Sequence, residues 1–105
     1  MSVHFFVQFE PVTGKEAEFR AELLKVIEPS RAEAGWVALR VFESLREPFR
    51  FAIHSEWVDE AAFEFHAQLP HTVRFLRAAE QLLTHDVQGL RTREIGGGPA
   101  AGAGG

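Results

Sequence analysis

Residues 36–57 read WVALRVFESLREPFRFAIHSEW, and they decide the fold because they contain two strands joined by a turn. Side chains alternate along residues 36–44 and again along residues 49–57, with the two-residue period of a strand that buries one face. The Glu47-Pro48 pair between them is typical of a turn. We therefore predict a β-hairpin at the centre of the chain.

Before the hairpin, the sequence predicts a strand followed by a helix. Residues 3–10 alternate in the same way and end at Pro11. Thr13 and Glu16 match a capping box, in which each side chain hydrogen-bonds to the other residue's backbone amide. The helix that follows is expected to break or kink at Pro29, which lacks an amide hydrogen. Its apolar stripe consists of Phe19, Leu23, Val26 and Ile27.

After the hairpin, the sequence predicts a second helical segment and a last strand. Asp59 is a suitable N-cap for a helix that is interrupted near Pro70 and then continues. Residues 85–95 read as a weaker strand, with Gly89 as a bulge or a close-approach site. The resulting order βαββαβ predicts an α+β domain of the ferredoxin-like type, whose antiparallel sheet carries both helical segments on one face.

The strands leave a second sheet face that is too aromatic for a surface in water and too polar for a dry core. A patch of this kind usually marks an interface, so we expect a homodimer packed sheet against sheet. The alternative is a monomer whose tail or loops cover the patch. The residues predicted on this face are His4, Phe6, Trp36, Ala38, Arg40 and Phe42.

The composition is that of one small globular domain. The chain has 105 residues, 46% of them hydrophobic and 25% charged. We expect a domain over residues 1–95 and a flexible Gly/Ala tail over residues 96–105. Apolar runs are short and no secretory signal is evident, so we expect a soluble, cytoplasmic protein without a membrane segment. A net charge of −4 disfavours binding to nucleic acid.

The residue types present restrict the chemistry. The chain contains no cysteine and no tyrosine, which excludes disulfides, thiolate zinc sites and cysteine nucleophiles. Acid–base chemistry therefore depends on five histidines and the carboxylates. Histidine suits a base role because its ordinary pKa is about 6.5.

Residues 56–71, EWVDEAAFEFHAQLPH, resemble a segment of the antibiotic biosynthesis monooxygenase family, in particular its quinol monooxygenase branch. The matching features are a strand ending in Glu-Trp, a helix with an acidic cap, a histidine, and a second histidine five positions later. Residues 31–36, RAEAGW, resemble the family's Glu-Pro-Gly-Cys segment before strand two, with Ala replacing Pro and Trp replacing Cys. The resemblance extends over residues 3–95 and implies a dimeric α/β barrel.

The resemblance also implies a reaction. The family's better-known members oxidise polycyclic phenols or quinols with O2 and need no flavin, haem or metal. We therefore expect a small aromatic substrate, O2, no cofactor and no metal. His66 and His71 are the candidate catalytic residues, with His66 preferred as the base. Because Pro70 disfavours helix at the preceding residue, it is expected to redirect the chain so that the two imidazoles converge on one pocket.

Four further residues are candidate substrate-binding residues: Trp57, Phe63, Glu56 and His54. Each candidate also has a structural interpretation. Trp57 suits core packing, and Glu56 suits an ion pair with Arg40 or Arg50. His66 suits a hydrogen bond to Glu56 or to a carbonyl, and His71 suits the polar start of a helical segment. A metal site made of His4, His54 and His66 is disfavoured because the spacing is not tight.

Two other functions remain open from the sequence. A haem-degrading relative shares the barrel and a helix histidine. Those proteins look to carry an Asn in strand one, where this chain has His4-Phe5-Phe6, and this difference disfavours haem degradation. A catalytically silent binding module or an isomerase would use the same pocket.

Overall fold

The computed structural model describes residues 2–102 and shows four strands and three helices in the order βαββααβ. The strands pair antiparallel in the order β2-β3-β1-β4. The predicted ferredoxin-like α+β fold is confirmed, with the second helical segment divided in two. The elements are β1 (Val3–Phe9), α1 (Glu16–Arg31), β2 (Trp36–Glu43), β3 (Phe51–Trp57), α2 (Glu60–Ala67), α3 (Pro70–Glu80) and β4 (Gln88–Thr92).

Phenylalanine side chains attach the helices to one face of the sheet. The ring of Phe9 on β1 lies 5.1 Å from Phe19 of α1 and 5.9 Å from Phe75 of α3, between centroids. Phe19 also lies 5.2 Å from Phe51, the partner of Phe9 on β3. All four side chains are buried. Because each buried phenylalanine contributes roughly 1.5–3 kcal/mol, this cluster holds α1 and α3 on the sheet.

A β-bulge at Val37 changes the face that Trp36 occupies. Trp36 pairs with Trp57, and Ala38 pairs with the adjacent Glu56, so β2 contains one additional residue at this point. An extra residue reverses the alternation of side chains on the two sides of the bulge. Trp36 therefore lies on the helix-bearing face, with its ring centroid 6.0 Å from that of Trp57. The prediction that placed Trp36 on the other face is wrong.

The sheet face opposite the helices, called the open face below, exposes apolar side chains as expected. Phe6, Phe42 and Leu90 lie on this face by strand register and are 46%, 53% and 63% exposed. The homodimer through this face stays a prediction. The other residues of the open face are His4, Gln8, Ala38, Arg40, Ala52, His54, Glu56, Gln88 and Thr92.

The start of α1 differs from the predicted capping box. Lys15 is the N-cap and makes no side-chain cap hydrogen bond. Gly14 turns the chain with φ at 93°, and its amide donates to Glu16 Oε1 at 2.7 Å. The turn thus moves the cap away from Thr13, and only the glutamate of the predicted box contacts the backbone. Pro29 lies in the last turn of α1, where it removes one amide without breaking the helix.

The helical segment after β3 begins at the predicted cap and is interrupted near Pro70, also as predicted. Asp59 caps α2 by accepting a hydrogen bond from the backbone amide of Ala62 at 2.8 Å. Pro70 opens α3, a position where its fixed φ and missing amide hydrogen are favourable. Leu69 is extended at φ −73° and ψ 149°, which separates α2 from α3.

The last strand is shorter than predicted and lacks the bulge. Gly89 pairs with Val7 in regular register, and a Cβ at Gly89 would lie 3.5 Å from Val7 Cγ2, an ordinary contact. Gly89 is therefore neither a bulge nor a close-approach site. Residues 96–102 form no helix or strand, and residues 103–105 of the predicted tail lie outside the described residues. No helix in residues 2–102 is long and apolar enough to cross a membrane.

Candidate functional site

An apolar cavity of about 310 Å³ lies between the helices and the sheet. Polar groups reach it from Ser30, Ser55, His66, Thr72 and Arg91. Its volume is at the lower end of the range of about 300–1,000 Å³ for small-molecule sites. The cavity therefore has the size and lining that a planar aromatic molecule requires. Its apolar walls come from Phe5, Val7, Phe9, Val26, Leu39, Ile53, Phe63, Ala67, Phe75, Leu76 and Val87.

A larger hollow of about 620 Å³ borders β1, β3 and β4 and includes residues of the open face such as Phe6 and Leu90. Neither His66 nor His71 borders it. We place the candidate site in the smaller cavity because its lining is mainly apolar and includes His66, whereas the larger hollow is bordered by the charged Glu10 and Arg50 and by the exposed His85.

His66 lies near the end of α2, where its imidazole borders the cavity. His66 Nδ1 lies 2.8 Å from Glu33 Oε2, and Thr72 Oγ1 lies 3.3 Å from the same nitrogen. Because a carboxylate only accepts hydrogen bonds, Nδ1 carries the hydrogen and donates to Glu33. This tautomer leaves Nε2 with a lone pair. His66 is thus oriented as a proton acceptor whose second nitrogen has no hydrogen-bond partner among the described residues.

The hydrogen-bond partner of His66 is neither of the two considered from the sequence, Glu56 or a backbone carbonyl. The imidazole is hydrogen-bonded to a carboxylate, which belongs to Glu33 and not to Glu56. Glu56 lies on the open face, on the other side of the sheet from His66.

His71 contacts the same carboxylate oxygen from the other side. It lies in the first turn of α3, and its Nε2 is 2.7 Å from Glu33 Oε2. His71 borders a different cavity, of about 70 Å³, between α1 and α3. The two imidazoles therefore converge on Glu33, with ring centroids 6.0 Å apart, and only His66 borders the apolar cavity of about 310 Å³.

Glu33 was quoted in the family resemblance but was not predicted as a site residue. Its side chain is only 7% exposed, and Oε1 is buried without a hydrogen-bond partner among residues 2–102. Its Oε2 accepts both imidazole hydrogen bonds. All the side-chain hydrogen bonding of Glu33 therefore goes to the two histidines.

The turn that carries Glu33 is held against α2 by a glycine. A Cβ at Gly35 would lie 2.3 Å from Ala62 Cβ, so only glycine allows the turn and the helix to approach this closely. Val58 donates its amide to the Gly35 carbonyl at 3.0 Å. These contacts bring Glu33 to His66, which α2 carries.

Trp57 and Phe63 surround His66 in different ways. Trp57 is 1% exposed and does not border the cavity, and its ring centroid lies 4.5 Å from that of His66. Phe63 borders the cavity and stacks on Phe5 with centroids 3.7 Å apart. Trp57 therefore packs against the imidazole from the core, and Phe63 forms part of the wall.

Glu56 and His54 lie on the open face, so the structure does not bring them to the cavity. His54 Nε2 lies 2.8 Å from His4 Nδ1, and Glu56 accepts a hydrogen bond from Ser2 Oγ at 2.6 Å. The position of His66 across the sheet also rules out a metal site made of His4, His54 and His66.

Arg91 connects β4 to α2 at the exposed side of the cavity. Its Nη1 donates to Glu60 Oε2 at 3.0 Å and also to Glu64. These hydrogen bonds, first with Glu64 and then with Glu60, raise the pKa of Arg91 above its ordinary value, so the guanidinium stays charged. Its carbon Cζ lies 5.8 Å and 5.4 Å from the ring centroids of Phe5 and Phe63.

One group of side chains in the described part of the chain has the spacing of metal ligands. It consists of Glu33, His66 and His71, whose ligand atoms lie within 4.8 Å of one another. Both nitrogens, however, approach one oxygen at 2.7 and 2.8 Å, which are hydrogen-bond distances. A Zn²⁺ ion lies about 2.0–2.2 Å from each nitrogen or oxygen ligand. To fit between the two imidazole nitrogens and the Glu33 oxygen, it would have to move these atoms apart. The cluster as it stands is a carboxylate that bridges two imidazoles.

The fold and the site together define a small ferredoxin-like domain with an apolar cavity and a carboxylate-oriented histidine. The family profile described as antibiotic biosynthesis monooxygenase matches residues 2–78. The chain belongs to this family.

A curated relative supports this assignment, and two solved structures have the same fold. The chain is 33% identical over 78 residues to "Putative monooxygenase YcnE" of Bacillus subtilis (strain 168), covering 74% of this chain and 82% of that protein. The fold resembles the structure of Rv0793 from Mycobacterium tuberculosis, with a TM-score of 0.86 at 22% identity over 94% of this chain and all of that one. It also resembles a variant of SnoaB, a cofactor-independent oxygenase from Streptomyces nogalater, with a TM-score of 0.81 at 19% identity over 93% and 97% of the two chains.

Proposed function

We propose that the protein is a cofactor-independent monooxygenase that oxidises a quinol or a related polyphenol with O2, and that His66 is the base. The observation that carries this proposal is the hydrogen bond from His66 Nδ1 to the buried Glu33, on an imidazole that borders an apolar cavity. A base oriented by a third group is a recurring arrangement in catalysis. Membership of a monooxygenase family and the likeness to an oxygenase that needs no cofactor support the same reaction.

The proposed reaction begins with proton transfer. His66 Nε2 accepts the proton of a substrate hydroxyl, and the negative Glu33 stabilises the imidazolium that forms. The phenolate then transfers one electron to O2, and the two radicals combine to form a carbon–oxygen bond. The oxygen–oxygen bond breaks and one oxygen leaves as water. A quinol and O2 thus give a hydroxyquinone and water, and the substrate supplies all four electrons.

The surroundings of His66 suit this chemistry. Apolar walls exclude water, which strengthens the interaction between the imidazolium and Glu33. We assign His71 a positioning role, because it contacts Glu33 and borders a cavity other than the one that would hold the substrate. Phe63 is the substrate-wall residue among the four predicted binding residues.

Oxygen uptake tests the proposal. Metal-free protein is mixed with 1,4-dihydroxynaphthalene, and the rate without protein is subtracted to remove autoxidation. The expected result is uptake that falls about 10²- to 10⁴-fold in His66→Ala, the range for loss of a general base. His85→Ala is the control, since His85 is exposed and bonds only its neighbour's carbonyl among the described residues. An unchanged rate in His66→Ala removes His66 from the mechanism.

A second candidate is a ligand-binding or isomerase member of the same fold, because a carboxylate-oriented imidazole also serves proton transfer without O2. Its signature is ligand binding or substrate rearrangement without oxygen consumption. A haem-degrading activity is the third and least favoured function, and the absence of a Soret shift on haem titration dismisses it.

We further propose that two copies pair through their open faces. The exposed Phe6, Phe42 and Leu90 would be removed from water in such a pair, which is the usual driving force for an interface. A cytoplasmic location stays a prediction.

A further inference from the structure

The hydroxyl of Ser55 is a polar group of the cavity that the proposed proton transfer does not use. Ser55 is 5% exposed and lies in the middle of β3 on the helix-bearing face, paired with Phe5 on β1 and Leu39 on β2. The other residues of β3 on this face are Phe51, Ile53 and Trp57, all of them apolar. A serine in this position contributes little to packing, so its hydroxyl calls for another explanation.

The other hydroxyls of the cavity already have partners. Ser30 Oγ donates to the Val26 carbonyl at 2.7 Å, and Thr72 Oγ1 lies 3.3 Å from His66 Nδ1. Ser55 takes part in none of the side-chain hydrogen bonds of the described residues, although it borders the cavity. Ser55 Oγ is also not one of the fully buried polar atoms without a partner among the described residues, which are Glu33 Oε1 and Trp57 Nε1, so the hydroxyl keeps some accessible surface. The hydroxyl is therefore available to a bound molecule.

Ser55 and His66 border the same cavity from different elements of the fold. Ser55 precedes Trp57 by two residues on the same face, a distance of about 6.6 Å along the strand. The Trp57 ring in turn packs against His66. Ser55 on β3 and His66 on α2 are thus two separate polar groups of one cavity, and a para-quinol carries two oxygens at opposite edges of its ring.

We propose that Ser55 is a specificity-determining residue that donates a hydrogen bond to a second oxygen of the aromatic substrate, while the first oxygen contacts His66. This inference rests on the proposed function and goes beyond it, because it distinguishes aromatic diols from aromatic compounds with a single hydroxyl. Ser55 does not take part in the proton transfer.

The test is a comparison of two ligands with two proteins under anaerobic conditions, so that no turnover occurs. 1,4-Dihydroxynaphthalene carries both oxygens, and 1-naphthol lacks the second. Their dissociation constants are measured by calorimetry for the wild type and for Ser55→Ala. A neutral hydrogen bond corresponds to a roughly two- to tenfold effect on affinity. We expect Ser55→Ala to weaken binding of the diol by this factor and to leave binding of 1-naphthol unchanged.

The matched control is Ser30→Ala, which removes a cavity hydroxyl that already donates to Val26. Ser30→Ala is expected to change the dissociation constants of the two ligands by the same factor. Urea unfolding confirms that Ser55→Ala is folded, and a loss of an unpaired hydroxyl should not lower its stability. An equal change for both ligands, or no change for the diol, overturns the role of Ser55 while leaving the proposed function intact. Failure of the wild type to bind either ligand overturns both.

Discussion

Replacing Glu33 by glutamine tests the carboxylate that joins the two imidazoles. Oε2 of Glu33 accepts hydrogen bonds from His66 Nδ1 at 2.8 Å and from His71 Nε2 at 2.7 Å. Glutamine has nearly the same shape and keeps an oxygen with two lone pairs, so it can accept the same bonds. Glu33→Gln therefore removes the negative charge with little change in packing.

The size of the effect follows from the difference between charged and neutral hydrogen bonds. A hydrogen bond to a charged group contributes about 1.5–3 kcal/mol, and a neutral one about 0.5–1.5 kcal/mol. The difference of about 1–1.5 kcal/mol applies to the imidazolium that His66 becomes during the reaction. Since about 1.4 kcal/mol is tenfold in rate, we expect kcat to fall about tenfold in Glu33→Gln. Glu33→Ala removes the acceptor altogether and is expected to lower kcat about 10²-fold.

Initial rates of oxygen uptake at several concentrations of 1,4-dihydroxynaphthalene separate kcat from KM. Anaerobic binding of the diol should be unchanged, because Glu33 acts through His66 and does not touch the substrate. Glu28→Gln is the control, because the Glu28 side chain on α1 is 78% exposed. Among the described residues its only ion-pair partner is Arg31, at 3.6 Å. A wild-type kcat in Glu33→Gln, in an enzyme that needs His66, would refute the reasoning.

Three further changes have expected outcomes. Gly35→Ala places a Cβ 2.3 Å from Ala62 Cβ, so unfolding in urea should show a loss of about 1–3 kcal/mol, whereas Gly96→Ala, with no atom within 4 Å, should show none. Phe42→Glu should dissociate the proposed pair of copies in size-exclusion chromatography with light scattering. Leu45→Glu is the control, because Leu45 lies in the loop between β2 and β3 and is 94% exposed, and it should leave the pair intact. A monomeric wild type contradicts the pairing. Dialysis against a chelator should leave oxygen uptake unchanged, and a loss restored by a divalent ion would instead assign the imidazole–carboxylate cluster to metal binding.

The order of strands and helices could be predicted because alternation and apolar stripes are local properties of the sequence. The bulge at Val37 could not, because Val37 continues an apolar run and nothing in the run shows an extra residue. The bulge exists only in the pairing of β2 with β3, which is a tertiary contact. It changes the sheet face that a large aromatic side chain occupies. It turns Trp36 away from the open face and places it beside Trp57.

The site was predicted in part for a similar reason. His66 stands out in the sequence as a helix histidine, but its partner Glu33 lies 33 positions away and is brought near by tertiary contacts. An isolated glutamate in a short turn is usually exposed, so its type alone did not mark it. The informative signal was the glycine two residues later, which permits contact with Ala62. Glu56 is nearer in sequence to His66, yet strand alternation directs it to the opposite face. Proximity in the sequence therefore does not predict which carboxylate contacts His66. The close packing of Gly35 against Ala62 does, because it brings Glu33 to α2.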